Sequence, residues 1–374
     1  MSAYFVTGAT GFVGGALVLE LLARTDKPVV CMVRDTGIAP QSRLENALRH
    51  AEFTYEYPRG FVDSALDRVH AVAGDLDGVI DVPMPEGVYP TEFWHCAASL
   101  RFHDKDRDEI FSTNVNGTRN ALEFAKQLGV DVFNYVSTAY VAGRAVGHIS
   151  EKAVARDVKT HNLYEQSKIE AEYLVQESSL RTRIFRPSIV VGHSKTFGAT
   201  SFTGLYGMLK ELVHLRDEVT DTLGSFLEMR ALQMLADPAS TVNLIPVDLV
   251  VDRAVTLSLA DVSDEVIHLS NRSAPTVGRC LELMFEALGL RAPDYVPARE
   301  HLSSLDAEFD DHLDFYRSYL SGAKEFEQRA SEAHGGAMDY SFDDTTFTAF
   351  IQWYLRHLGV AFKSTDVATA VVAP

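Results

Sequence analysis

Cysteine is scarce: Cys31, Cys96 and Cys280 are three among 374 residues, an odd number without C-x-x-C spacing. That excludes a disulfide scaffold and a thiolate zinc site and points to a reducing compartment. The 13 histidines include no H-x-x-x-H pair, so no metal is expected either. Long apolar runs are missing; none reaches the roughly 18 residues of a membrane helix. No charged segment leads into an apolar one at the start, where the chain opens into Ala3-Tyr4-Phe5-Val6. Neither an integral membrane segment nor a secretory leader is expected, and the location read from the sequence is cytoplasmic. Cations are in deficit, 34 Lys and Arg against 52 Asp and Glu, a formal charge of −18. Such a chain repels phosphate backbones and anionic lipid, so nucleic acid is not an expected partner.

What the chain does have is a globular composition, 46% hydrophobic, enough to exclude intrinsic disorder. Short β-branched runs alternate with helical patterns: 4–6, helix 12–24, 29–33, helix 41–51, 69–72, 93–97, helix 114–128, 132–136, helix 163–179, 182–185 and 189–191. This alternation predicts an α/β fold, a doubly wound parallel sheet of about six strands. The regularity breaks at 196 and returns at 242–259 and 266–269. The expected organisation is therefore a doubly wound, Rossmann-type domain over 1–195, with 241–270 returning to it. A smaller, mostly helical substrate-binding or lid region is expected over 196–240 and 271–374. Met- and Leu-rich segments at 202–212 and 226–235 read either as an acyl tunnel or as ordinary core. Between 300 and 350, twelve carboxylates face three cations; this reads either as an ordinary solvated helical face or as a surface that repels acidic partners. The end of the chain, Val367 to Pro374, reads as a loose tail.

The strongest local signal is Thr7-Gly8-Ala9-Thr10-Gly11-Phe12-Val13-Gly14, directly after the first strand and opening the first helix. Glycines let the backbone turn tightly and approach a pyrophosphate, whose charge meets free N–H groups at a helix N-terminus. Gly8, Thr10, Gly11, Phe12, Val13 and Gly14 are thus candidate cofactor contacts. The second strand ends in Arg34-Asp35, beside the expected adenosine ribose. A guanidinium there clamps a 2′-phosphate and a carboxylate accepts from a 2′-hydroxyl; Arg34 comes first, which favours NADPH, while Asp35 pulls toward NADH. Asp75-Leu76, after the third strand, is placed either near the adenine or, through Asp75, as a turn cap.

Tyr164 and Lys168 lie four residues apart, on one face of the predicted helix. An ammonium at that spacing, together with an oxidised nicotinamide, is expected to draw the phenol pKa downward and make Tyr164 a proton donor. Thr138, 26 residues upstream at the end of a buried strand, offers a hydroxyl to the same substrate oxygen. His95, after Trp94, reads as a core or cofactor-edge residue rather than an acid or base.

Taken with Arg186-Pro187-Ser188-Ile189-Val190-Val191-Gly192, these motifs resemble the extended short-chain dehydrogenase/reductases over roughly residues 3–270. His95 to Phe102, Asn114-Val115-Asn116-Gly117-Thr118 and Tyr135 to Val141 look like the fatty acyl-CoA reductase and thioester-reductase branch. The resemblance implies that Thr138, Tyr164 and Lys168 are catalytic and that Asn114 supports the lysine through a proton relay. Pro187 and Ser188 are implied to border the nicotinamide, with Ala97, Ala98, Ile189 and Lys168 completing the cofactor set. It further implies an NADPH-dependent reductase that takes an acyl thioester to an aldehyde or on to a primary alcohol. No adenylation or carrier segment precedes the fold, so the thioester is expected in trans, as a CoA ester or on a carrier protein, with the enzyme a monomer or homodimer. The same site also serves ketone or secondary-alcohol dehydrogenases of the steroid or flavonol type and nucleotide-sugar epimerases. A non-catalytic NADP(H)-binding sensor of this fold is a further alternative, which the Tyr/Lys pair argues against.

Overall fold

The computed structural model describes residues 1–224, 226–263, 265–313 and 316–362. The expected C-terminal tail and Asp314 lie outside the described residues.

Seven fully parallel strands form the main sheet: β1 Ser2–Thr7, β2 Val29–Val33, β3 Val69–Ala73, β4 Tyr89–His95, β5 Val132–Val136, β6 Thr182–Pro187 and β7 Val266–Leu269, in the order β7-β6-β5-β4-β1-β2-β3. The strands are near-continuous apolar runs because helices cover both faces. The main-chain period of two divides β1: Tyr4 and Val6 enter one core, Ala3 and Phe5 the other. On the first face lie α1 Phe12–Arg24, α2 Pro40–Thr54 and, from the returning segment, α6 Val247–Leu259. On the second lie α3 Gly117–Leu128 and α4 Leu163–Gln176. Phe93 stacks between Phe5 at 4.9 Å and Phe133 at 5.1 Å, joining β1, β4 and β5 through their side chains. The strand order reverses between β1 and β4, which opens a crevice at their C-terminal ends. Ile189–Val191 forms a short strand outside this sheet.

The chain divides into two compact units. The first comprises Met1–Ser201, Ile245–Arg272 and Glu325–Met338. The last of these pieces was placed by the sequence in the second region. Its attachment rests on buried polar bonds that no hydrophobic period announces. Gln328 donates to the Ser270 carbonyl at 2.8 Å, and Arg253 donates to the carbonyls of Ser331 at 2.9 Å and Gly335 at 3.0 Å.

The second unit comprises Phe202–Leu244, Ser273–Lys324 and 339–362. Its main helices are α5 Leu205–Leu223, α7 Val277–Ala287 and α8 Asp344–His357. Leu205, Tyr206, Met208, Leu209 and Leu212 of α5 are buried, as are Leu227, Leu232 and Met234. The acidic stretch differs from a bare solvated face. Asp306 is fully buried against Arg230, and Arg299 and Arg279 pair with Asp310, Asp311 and Asp344. Among the described residues no helix is long and apolar enough to cross a membrane.

Candidate active site

Gly8 directly follows β1 with φ +76°, and a Cβ there would lie 2.6 Å from the Ala97 nitrogen and 2.8 Å from the Cys96 carbonyl carbon. Only glycine lets the end of β1 approach the end of β4 this closely. A Cβ on Gly14 would meet the Gly8 oxygen at 2.2 Å, so the first turn of α1 rests directly on the glycine turn. The Gly11 N–H donates to the Gly8 carbonyl at 2.9 Å, and Gly11 is the N-cap of α1 without any side-chain cap. Thr10 and Gly11 are exposed, whereas Phe12 and Val13 pack partly against the core. The uncapped N–H groups over a cradle that any Cβ would fill fit the pyrophosphate of a dinucleotide.

At the end of β2, Arg34 is exposed and Asp35 accepts from the Gly37 N–H at 2.9 Å, so its carboxylate caps its own turn. Arg43 of α2 reaches the same corner and donates to the Arg34 carbonyl at 2.7 Å. Sequence reading missed Arg43; its signal is a cation in the first turn of the helix that follows β2. Asp75 accepts from the N–H groups of Leu76 at 2.6 Å and Asp77 at 3.3 Å, the turn-capping role. Leu76 is buried and its carbonyl accepts from Asn120 at 2.7 Å. Ala97 and Ala98 are half-buried after β4, and Pro187, Ser188 and Ile189 continue from β6, with the Ser188 N–H donating to the Leu269 carbonyl at 3.0 Å. His95 is fully buried between the Thr7 hydroxyl at 2.7 Å and the Thr118 hydroxyl at 3.1 Å. Burial, then the Lys168 charge, drives its pKa down to about 3, so it is a neutral core residue.

The catalytic candidates converge at the ends of β5 and β6. Asn162 caps α4 by accepting from the Glu165 N–H at 2.9 Å, and Glu165 accepts in return from the His161 N–H at 2.8 Å. This reciprocal cap fixes the helix start one turn around Tyr164. Lys168 is 1% exposed, donates from Nζ to the Val136 carbonyl at 2.8 Å and stands 4.3 Å above the Tyr135 ring. Burial draws its pKa down to about 7, opposed chiefly by the Glu172 charge. The half-buried Tyr164 departs from expectation: burial, then the Glu165 carboxylate, push its phenol up rather than down. The lysine ammonium is directed at the Val136 carbonyl, and desolvation of the phenolate dominates. Thr138 is buried at the start of the turn 139–142, where its oxygen accepts from the Tyr140 N–H at 3.2 Å. The buried hydroxyls of Ser137 and Ser188, at the ends of β5 and β6, have no partner among the described residues.

Asn114 lies in a π-helical turn, Ser112–Asn116, a helix defect frequent at functional sites. Its side-chain amide accepts from the Ser99 N–H at 2.7 Å and donates to the Ser99 carbonyl at 3.0 Å and to the Ser167 hydroxyl at 2.9 Å. Ser167 in turn donates to the Tyr164 carbonyl at 2.7 Å. The amide therefore bonds the loop after β4 and helix α4, and makes no bond to Lys168. Tyr135 and Ser167 were also missed from the sequence, since neither stands in a motif that marks contact with Lys168 or Asn114.

Residues 6–254 match the Male sterility protein family. The chain is 30% identical over 212 residues to the nonribosomal peptide synthetase asaC of Aspergillus flavus, an alignment covering 51% of this chain and 20% of that protein. It is 29% identical over 225 residues to fatty acyl-CoA reductase 1 of Gallus gallus, covering 50% of this chain and 42% of that one. The chain thus spans less than half the length of these relatives. Among solved structures, the terminal R domain from the myxalamid PKS-NRPS biosynthetic pathway superposes with a TM-score of 0.73 at 23% identity, over 96% of this chain and 91% of that one. With a glycine cradle at the β1/β4 crevice and a matched family spanning most of the first unit, this chain belongs to the Male sterility protein family and carries that family's NAD(P)-binding Rossmann domain.

Proposed function

We propose that the protein is an NADPH-dependent reductase of acyl thioesters, taking the acyl group from CoA or from a carrier protein. The observation that carries the reading is that Lys168, four residues from Tyr164 on α4, donates to the Val136 carbonyl at the C-terminal end of β5, where Thr138 follows, while the uncapped glycine cradle follows β1 at the same end of the parallel sheet. The crevice residues Gly8 to Gly14 would hold the pyrophosphate, and Ala97, Ala98, Pro187, Ser188 and Ile189 would flank the rest of the dinucleotide. Preference for NADPH is supported by Arg34 with Arg43 at one corner, while Asp35 is engaged by Gly37. When bound, the cofactor supplies the hydride that reduces the substrate carbonyl.

The chain's own residues handle the proton and the oxyanion. A phenol pushed up by burial stays protonated at neutral pH and holds its proton for the carbonyl oxygen. The Thr138 oxygen is used as an acceptor by Tyr140, which leaves its hydrogen to donate to the same oxyanion. Lys168, near its midpoint at neutral pH, returns a proton to Tyr164. Protonation of the former carbonyl oxygen gives a hemithioacetal, whose C–S cleavage releases the thiol and leaves the aldehyde. Asn114 acts as a positioning residue, through Ser99 and Ser167. The second unit is the proposed acyl-binding region, and the enzyme is proposed to work in the cytosol as a monomer or homodimer.

The test follows NADPH oxidation by the purified protein with a panel of acyl-CoA thioesters, while a thiol reagent reads released CoA and chromatography identifies the product. Equal NADPH and thiol indicates aldehyde; a doubled NADPH count indicates alcohol. Tyr164→Phe should retain dinucleotide binding and lose roughly 10²–10⁴-fold in turnover. Turnover of ketones, secondary alcohols or sugar nucleotides without any thioester reduction would overturn the proposal.

A further inference from the structure

The catalytic face of α4 carries a third member. Tyr164, Lys168 and Glu172 recur every four residues, so they share one stripe of the helix. Glu172 is 2% exposed, and both its oxygens are held by Arg186 of β6: Nε donates to Oε1 at 2.9 Å and Nη2 to Oε2 at 2.6 Å. Arg186 is itself fully buried, and its Nη1 donates to the Lys152 carbonyl at 2.9 Å. The fork therefore ties the catalytic helix to the residue directly before Pro187. A buried ion pair is a poor choice for stability alone, because well-packed apolar residues of similar volume do at least as well.

The groups that face Lys168 explain what the pair is for. They are the Val136 carbonyl and Tyr135 ring from β5, Cys96 and His95 from the end of β4, and Glu172 from its own helix. His95 is neutral, and burial pushes the Cys96 thiol up to about 12, so it is neutral as well. Of these groups Glu172 is the carboxylate, held in a buried ion pair with Arg186. Burial disfavours an ammonium at this position, and a fixed carboxylate one helical turn away opposes that penalty. The bidentate clamp fixes the carboxylate in place.

We infer that Glu172, clamped by Arg186, is a positioning residue that keeps Lys168 in its ammonium form and so sets the alkaline limit of the site's proton supply. This deepens the reading above, since it concerns the same site. The experiment is a pH titration of the full-length protein with its lysines labelled at 15Nζ, the Lys168 signal being assigned by its loss in Lys168→Met. Glu172→Gln should lower the Lys168 midpoint by about one pH unit, while Glu172→Asp should leave most of it in place. In turnover, Glu172→Gln should be close to wild type at pH 6 and about tenfold slower above the original midpoint, with KM unchanged. If Glu172→Gln leaves Arg186 uncompensated and fails to fold, Glu172→Gln with Arg186→Gln removes both charges and should move the midpoint in the same direction. A midpoint that stays put in a folded variant, or a loss of activity equal at every pH, overturns the inference. The titration needs no substrate, so a protein that reduces no thioester but shows the midpoint shift refutes only the proposed activity.

Discussion

Gly14→Ala adds a single methyl group where the Gly8 carbonyl oxygen stands 2.2 Å and the Gly8 carbonyl carbon 2.7 Å from the new carbon, against an ordinary contact range of 3.4–4 Å. The obstacle is backbone, so α1 itself has to retreat, by roughly 1 Å in a close-packed setting. Overpacking of this kind costs about 1–3 kcal/mol, while alanine is favoured over glycine in a helix interior by about 1 kcal/mol. The propensity term offsets part of the clash, and the net loss of stability should be about 0–2 kcal/mol. Dinucleotide binding has no such compensation, because the displaced first turn carries the uncapped N–H groups. A tenfold or greater loss of affinity is expected, about 1.4 kcal/mol or more. Gly129→Ala is the control: φ is +68° and nothing lies within 4 Å of the added carbon. It should cost about 1 kcal/mol through left-handed strain at the end of α3 and leave binding unchanged. Calorimetric titration with NADPH and chemical denaturation of both variants separate the two effects. Wild-type affinity in Gly14→Ala, or equal weakening in Gly129→Ala, would refute the cradle.

Arg34→Ala and Arg43→Ala should each lower the ratio of kcat/KM for NADPH over NADH by about tenfold, with little change for NADH; an unaltered ratio would show that neither meets the 2′-phosphate. Acid stability should depend on His95. Its folded pKa is held near 3 against an ordinary 6.5, so the unfolded chain binds the extra proton and stability is lost as pH falls from 6.5 toward 3. The slope is about 1.4 kcal/mol per pH unit. His95→Gln should flatten that limb in denaturant titrations between pH 4 and 7, and an unchanged limb would place the acid sensitivity elsewhere, for instance in His268, which is held equally low by burial.

The strands were legible because a sheet covered on both faces demands unbroken apolar runs, and Val29–Val33, Val132–Val136 and Val266–Leu269 fall where the sequence put them. The glycine turn was legible because its three glycines sit between a strand and a helix. Asp35 and Asp75 were not, since a carboxylate that caps a turn and one that meets a nucleotide are the same residue type after a strand. Arg43, Tyr135, Ser167 and the Glu172–Arg186 pair were missed for a different reason: their meaning depends on which neighbour they meet.

By itself the sequence determined the order of strands and helices, the glycine turn and the four-residue spacing of Tyr164 and Lys168. Each of these is a local pattern, written by the periods of the backbone and by the absence of a Cβ. Only the tertiary structure decided that the Lys168 amine points at Val136 and that Tyr164 is pushed up by burial. It alone decided that Glu325–Met338 returns to the first unit. Desolvation and buried polar bonds act between residues far apart in the chain, so their sign and size exist only once the chain has folded.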